Sequence, residues 1–177
     1  MDSINQNQPE ENFKDLIGQE ALDKIKDLAK NAGSCFFCTK IEDGLAFATR
    51  PMSPQNIDND GNFWFLSAAD SYKNQQLKAD PAVQMLFGSG YSNFLTLYGS
   101  GSISTDKNKI TELWNPMLKT WFTEGVNDPR ITVIKVTPKE GYYWDTKHGM
   151  AVAMIKRMVG AVIGETYDDS IEGTVSP

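Results

Sequence analysis

Apolar residues recur at helical spacing near the start of the chain and alternate along its middle. Between residues 12 and 31 they are Phe13, Leu16, Ile17, Ala21, Ile25, Leu28 and Ala29, with lysines and acids filling the gaps. That spacing predicts an amphipathic helix, stopped by Gly33. A β-rich middle follows. Residues 35–41 and 45–50 flank the turn Glu42-Asp43-Gly44 and predict a hairpin, with Pro51 marking the end of a strand or an edge position. After a second turn, Asn59-Asp60-Gly61, comes a short aromatic strand at 63–67. A helix at 71–79 follows, closed by Asp80-Pro81. Strands are predicted at 83–88 and 94–104. Gly99 and Gly101 inside the second mark a bend or bulge of the kind a small barrel needs.

Residues 106–122 turn helical. Asp106 is placed to cap them, Ile110, Leu113, Trp114, Met117, Leu118 and Trp121 form an apolar face, and Pro116 splits the run. Strands at 132–137 and 141–146 are predicted on either side of Pro138. Residues 150–163 are apolar on more than one face, which predicts a helix packed on the barrel or on a second subunit. The polar residues 1–11 read as a disordered N-terminal segment and the acidic residues 166–177 as a loose C-terminal tail. One domain remains, at 12–165. Short strands with turn signals and a few helices make a mainly β fold, a small barrel with peripheral helices.

Composition then narrows the function. The 177 residues are 40% hydrophobic and 23% charged, ordinary for a soluble globular protein. Net charge is −6 and no basic stripe appears, so no nucleic-acid partner is expected. No apolar run reaches the roughly 20 residues that span a bilayer, and the first residues lack a signal-peptide pattern. The expectation is a cytoplasmic protein without a membrane partner. Cys35 and Cys38 sit three apart on a predicted strand and so point to opposite faces. A mutual disulfide is geometrically poor, and buried free thiols are expected. With His148 the only histidine, no metal site is expected. There is no GxGxxG, GxxxxGK[ST] or GxSxG motif. His148, between Lys147 and Gly149, fits a helix entry or a surface position better than a catalytic base.

The stretch from 46 to 73 carries the chemistry. Arg50 ends one strand, Ser67 ends the next, and Ser71 and Lys73 lie where a helix opens. Taken singly, Arg50 reads as a surface ion pair and Lys73 as a solvated helix lysine. Together with two hydroxyls and a helix start, they equally fit a phosphate: a planar fork of donors, a mobile charge and unpaired backbone N–H groups. Asp70 would repel a phosphate if it pointed the same way, and is expected to cap the helix instead.

These residues resemble one family. TRPM at 49–52, WFLS at 64–67, Lys73, Asp80-Pro81, ELWNPMLKTWFTEGVNDP at 112–129, YYWD at 142–145 and VGAVIGETYDDSIEG at 159–173 carry the resemblance. They are similar to the pyridoxamine 5′-phosphate oxidase-like flavin-binding split barrels, in particular the general stress protein 26 group. The resemblance implies a six-stranded split barrel, a homodimer and FMN in the groove between subunits. It implies that Arg50 and Lys73 hold the FMN phosphate, that Ser67 and Ser71 add hydroxyl contacts, and that backbone at Pro51, Met52 and Leu66 meets the flavin edge. Trp114 and Trp121 are placed as wall residues, or as plain core at helical spacing. The substrate-binding Arg and His of the true oxidases have no counterpart in the acidic tail, so pyridoxamine phosphate oxidation is not implied. A flavin-dependent oxidoreductase of unknown substrate is the first reading. A flavin carrier or sensor without turnover is the second, and a barrel holding a deazaflavin or haem the third. No catalytic residue is assigned.

Overall fold

A computed structural model describes residues 12–41, 46–163 and 169–177. The N-terminal segment 1–11, the Glu42-Asp43-Gly44 turn and residues 166–168 of the tail lie outside the described residues. In chain order the elements are β1 (Leu16–Ile17), α1 (Gln19–Ala32), β2 (Cys35–Thr39), β3 (Ala48–Met52), β4 (Asn56–Ile57), β5 (Phe63–Ala68) and α2 (Tyr72–Ala79). Then come β6 (Ala82–Ser89), β7 (Asn93–Ser104), α3 (Lys107–Leu113), 3-10 turns at Pro116–Thr120 and Gly125–Asn127, β8 (Ile131–Thr146), α4 (Met150–Ile163) and β9 (Ser170–Ser176).

The strands pair in the order β1-β9-β8-β7-β6-β2-β3, and β5 joins β4 to the first half of β8. This is the expected mainly β architecture, a split barrel of β2, β3 and β5–β8 with flanking helices. Alternation places Phe37, Phe63, Phe65, Met85, Leu95, Leu97, Ile134 and Val136 in one buried core. The rings of Phe37 and Phe65 meet edge to face at 5.2 Å, tying β2 to β5 across the interior. Helix α1 lays Ala21, Ile25, Leu28 and Ala29 on that core and ends at Gly33, whose φ of +68° caps it in the left-handed conformation. Each large side chain so buried contributes about 1.5–3 kcal/mol.

Several expectations are corrected. The first helix begins at Gln19, not at residue 12; Leu16–Ile17 run parallel to Val175–Ser176 instead. The apolar spacing of Phe13, Leu16 and Ile17 happened to fit both periods, and the end of the chain supplied a strand edge. The tail is not loose: β9 pairs with β8 from Gly141 to Thr146 and buries Val175 completely. The strands around Pro138 are one strand, β8. Pro138 falls between the part of β8 paired with β5 and the part paired with β9, so its missing N–H removes no bond to either. Opposite it, the register shifts between Tyr98 and Gly99, the bulge that the glycine signalled.

Other expectations hold. Asp106 accepts from the backbone N–H of Asn108 and Lys109, and Pro116 separates α3 from the 3-10 turn. Among the described residues β3 pairs with β2 alone, so Pro51 does sit on an edge. Cys35 and Cys38 are free and buried. Burial pushes the Cys35 thiol up to about 12, which leaves it unreactive. No helix among the described residues is long and apolar enough to cross a membrane.

Candidate functional site

The sheet does not close between β3 and β5 among the described residues. Among the described residues, β3 has no partner beyond β2, and β4 covers β5 only at Phe63–Trp64. The backbone of Pro51 and Met52 on one side, and of Leu66 and Ser67 on the other, therefore lies on edges without a second strand. Helix α2 begins just past β5.

Arg50 lies on β3 opposite Phe37 and shares that residue's side of the sheet. Its Nη1 donates to the Phe37 carbonyl at 3.2 Å and to Thr39 Oγ1 at 2.7 Å. Its Nη2 donates to Gln76 Oε1 at 2.8 Å. Thr39 Oγ1 in turn donates to Gln76 Oε1 at 2.6 Å. The Arg50 side chain thus links the edge strand to α2. Lys73, in the first turn of α2, is close enough to feel it. Burial first, and then the Arg50 charge, lower the Lys73 pKa, while Asp70 works the other way. Burial likewise lowers that of Arg50. Two partly desolvated cations held close together favour an anion between them.

The serines are more deeply used by the fold than the sequence foretold. Ser67 is buried, and its Oγ donates to Asn74 Oδ1 at 2.9 Å. Asn74 Nδ2 donates to Thr132 Oγ1 at 2.8 Å, and Thr132 Oγ1 donates to the Ser67 carbonyl at 3.0 Å. This closed network seats the start of α2 on the β5–β8 ladder. Ser71 Oγ lies 3.2 Å from Ser67 Oγ and caps α2 by accepting from the Asn74 N–H. The cap is therefore Ser71 and not the expected Asp70. Ser67, Ser71 and Lys73 gather at the start of α2, and Arg50 reaches the same helix one turn on, at Gln76.

The tryptophans stand apart from each other. Trp114 is half-buried against Phe122, with ring centroids 6.5 Å apart, and lines a cleft of about 480 Å3 with Gln55, Asn56, Glu112, Leu113, Asn115 and Pro116. Trp121 is 66% exposed. Leu66 turns its side chain to that same cluster, whereas Met52 packs on the barrel core. His148 precedes α4 as a helix entry, and its Nδ1 lies 2.6 Å from Asp169 Oδ1. Thr39 and Gln76 were not singled out in the sequence. Their one signal was polarity: a threonine on the inward face of an apolar strand, and a glutamine one turn on from Lys73.

The comparisons with known proteins bear on the family and the fold. The family model described as pyridoxamine 5′-phosphate oxidase like matches residues 20–168. A structure from Jannaschia sp. CCS1 assigned to general stress protein 26 is 27% identical, with a TM-score of 0.73 over 88% of this chain and 97% of that one. The general stress FMN/FAD binding protein of Xanthomonas citri is 26% identical, with a TM-score of 0.60 over 72% of this chain and 89% of that one. Protein bli-3 of Neurospora crassa is 31% identical over 88 residues, 45% of this chain and only 42% of its own length. A match over residues 20–168, well over half of the chain, settles the family: the chain belongs to the pyridoxamine 5′-phosphate oxidase-like family.

Proposed function

We propose that the protein binds FMN in the opening between β3 and β5, at the interface of a homodimer, and works as a flavin-dependent oxidoreductase. The observation that carries this is the pair Arg50 and Lys73, two partly buried cations beside the capped start of α2. The family and the flavin-binding Xanthomonas citri structure support a flavin as the ligand. Arg50 and Lys73 would hold the phosphate, Ser71 and the first N–H groups of α2 would flank it, and the free backbone edges at Pro51, Met52 and Leu66 would meet the ring. When bound, the flavin would supply hydride and electron transfer, and the chain would bind and orient it.

The test compares FMN with riboflavin, which has the same ring and no phosphate. A charged hydrogen bond is worth roughly 1.5–3 kcal/mol, so Arg50→Ala and Lys73→Ala should each weaken FMN about ten- to a hundredfold and change riboflavin little. Unchanged FMN affinity in both variants, or equal loss of the two ligands, rejects the site. An absorption spectrum of the purified protein separates flavin from deazaflavin or haem. One observation favours a carrier or sensor as second reading: Pro51, Met52 and Leu66 bring no titratable side chain to the ring edge. Anaerobic NADH or NADPH that fails to bleach the flavin would select it over the oxidoreductase.

A further inference from the structure

We propose that Thr39 and Gln76 are positioning residues that fix the Arg50 guanidinium with one edge offered to the cofactor phosphate. The inference rests on the FMN reading above and concerns how the phosphate site is built.

A guanidinium has five N–H donors and accepts nothing. Three of the five are accounted for: two on Nη1, to the Phe37 carbonyl and Thr39 Oγ1, and one on Nη2, to Gln76 Oε1. The acceptors Thr39 Oγ1 and Gln76 Oε1 stand only 2.6 Å apart, one on each terminal nitrogen. Two acceptors that close occupy the edge that Nη1 and Nη2 share. What remains is Nε–H and the second Nη2–H, side by side on the adjoining edge. That pair is the one suited to a bidentate contact with two phosphate oxygens. Among the described residues no acceptor meets Nε, and no fully buried side-chain polar atom lacks a partner. Nε is therefore not sealed in the core.

The lock has a fixed polarity. Because arginine only donates, the Gln76 amide must turn its oxygen toward it. That oxygen takes a second hydrogen from Thr39, whose own oxygen accepts from Nη1. Thr39 is fully buried in β2 and Gln76 projects from α2, so the guanidinium is held between a strand and a helix. Holding it costs rotamer freedom at folding and not at binding, which is how preorganisation raises affinity.

The experiment uses the full chain and titrates FMN and riboflavin into Thr39→Val, Thr39→Ser, Gln76→Met and Arg50→Ala, with far-UV circular dichroism on each. Thr39→Val and Gln76→Met keep size and remove the contact to Arg50. Each should weaken FMN about three- to tenfold and riboflavin less than about twofold, on the scale of one neutral hydrogen bond. Thr39→Ser, which keeps the hydroxyl, should retain wild-type FMN affinity. Full FMN affinity in both Thr39→Val and Gln76→Met, while Arg50→Ala loses FMN selectively, overturns the positioning role and leaves the phosphate site standing. Equal loss of both flavins in those two variants also overturns it, because it marks a structural role alone. If Arg50→Ala itself binds FMN like wild type, the phosphate reading fails and the positioning role falls with it.

Discussion

Single side chains decide how α4 is attached. Asp169 is fully buried, and its Oδ1 meets both His148 Nδ1 at 2.6 Å and Lys156 Nζ at 2.8 Å. Burial by itself would raise its pKa, but the hydrogen bonds from His148 and Lys156 outweigh it and bring the carboxyl to about 2. A folded pKa below the ordinary value means the carboxylate stabilises the fold fully above about pH 4. The contribution disappears as pH falls through 2. Asp169→Asn should therefore lower the thermal midpoint near pH 7 by roughly 3–10 °C, the scale of one charged hydrogen bond in a chain of this size. The gap to wild type should close between pH 4 and pH 2, and a gap that stays constant over that range would contradict the assignment. At this scale the sequence was half legible. Arg50 and Lys73 stood out because charge at a strand end and at a helix start carries its own meaning. Thr39 and Gln76 did not, because what they touch depends on strand register and on how α2 sits on the barrel. Ser67 was visible as a hydroxyl, yet its commitment to Asn74 and Thr132 became apparent only once β5 and β8 were paired.

At the scale of elements, the alternating middle of the chain was read well and its ends were not. The hairpin of β2 and β3, the bulge opposite Pro138 and the broken helix at Pro116 follow from local rules that turns and prolines impose. The tail was misread because its acidic composition hides a strand whose partners lie far away in sequence. β9 stands between β8 and β1, and Phe13 bridges to Glu172. Gly173 shows how tightly this corner is packed. A Cβ there would run into the Lys14 carbonyl oxygen, a backbone atom with no room to move aside. Gly173→Ala should accordingly destabilise the protein by about 1–3 kcal/mol, the usual range for overpacking. Thermal unfolding checks this. A loose tail would tolerate the extra methyl with no change in midpoint, so a silent substitution would remove β9 from the fold.

For the whole molecule the open question is what covers its exposed apolar surface. Trp114, Trp121, Phe122, Tyr142, Tyr143 and Trp144, with the apolar residues 150–163, are a large apolar set for one small barrel to bury. Phe122 and Tyr143 are in fact buried within the chain, where the Tyr143 hydroxyl donates to the Lys14 carbonyl at 2.8 Å. The exposed apolar surface is made of Trp121, of residues in α4 and of residues outside that set. Phe36, Phe94 and Tyr98 are 58%, 42% and 37% exposed on the outer side of β2 and β7, and Met117 and Trp121 are 77% and 66% exposed on the 3-10 turn. Phe36 pairs directly with Pro51 on the open edge of β3, so the apolar outer face runs up to the proposed flavin groove. A second copy placed on that face would bury it and close the groove in one step, which is why the proposed site and the proposed homodimer belong together. Sedimentation of wild type at micromolar concentration should give about twice the 19.7 kDa of one chain. Phe36→Glu places a charge on the face without disturbing the core. It should shift the protein toward monomer and weaken FMN and riboflavin alike, unlike Arg50→Ala, which should weaken FMN alone. A wild-type chain that sediments as a single monomeric species, or a monomeric Phe36→Glu that binds both flavins normally, would separate the site from the interface and end this account of the dimer.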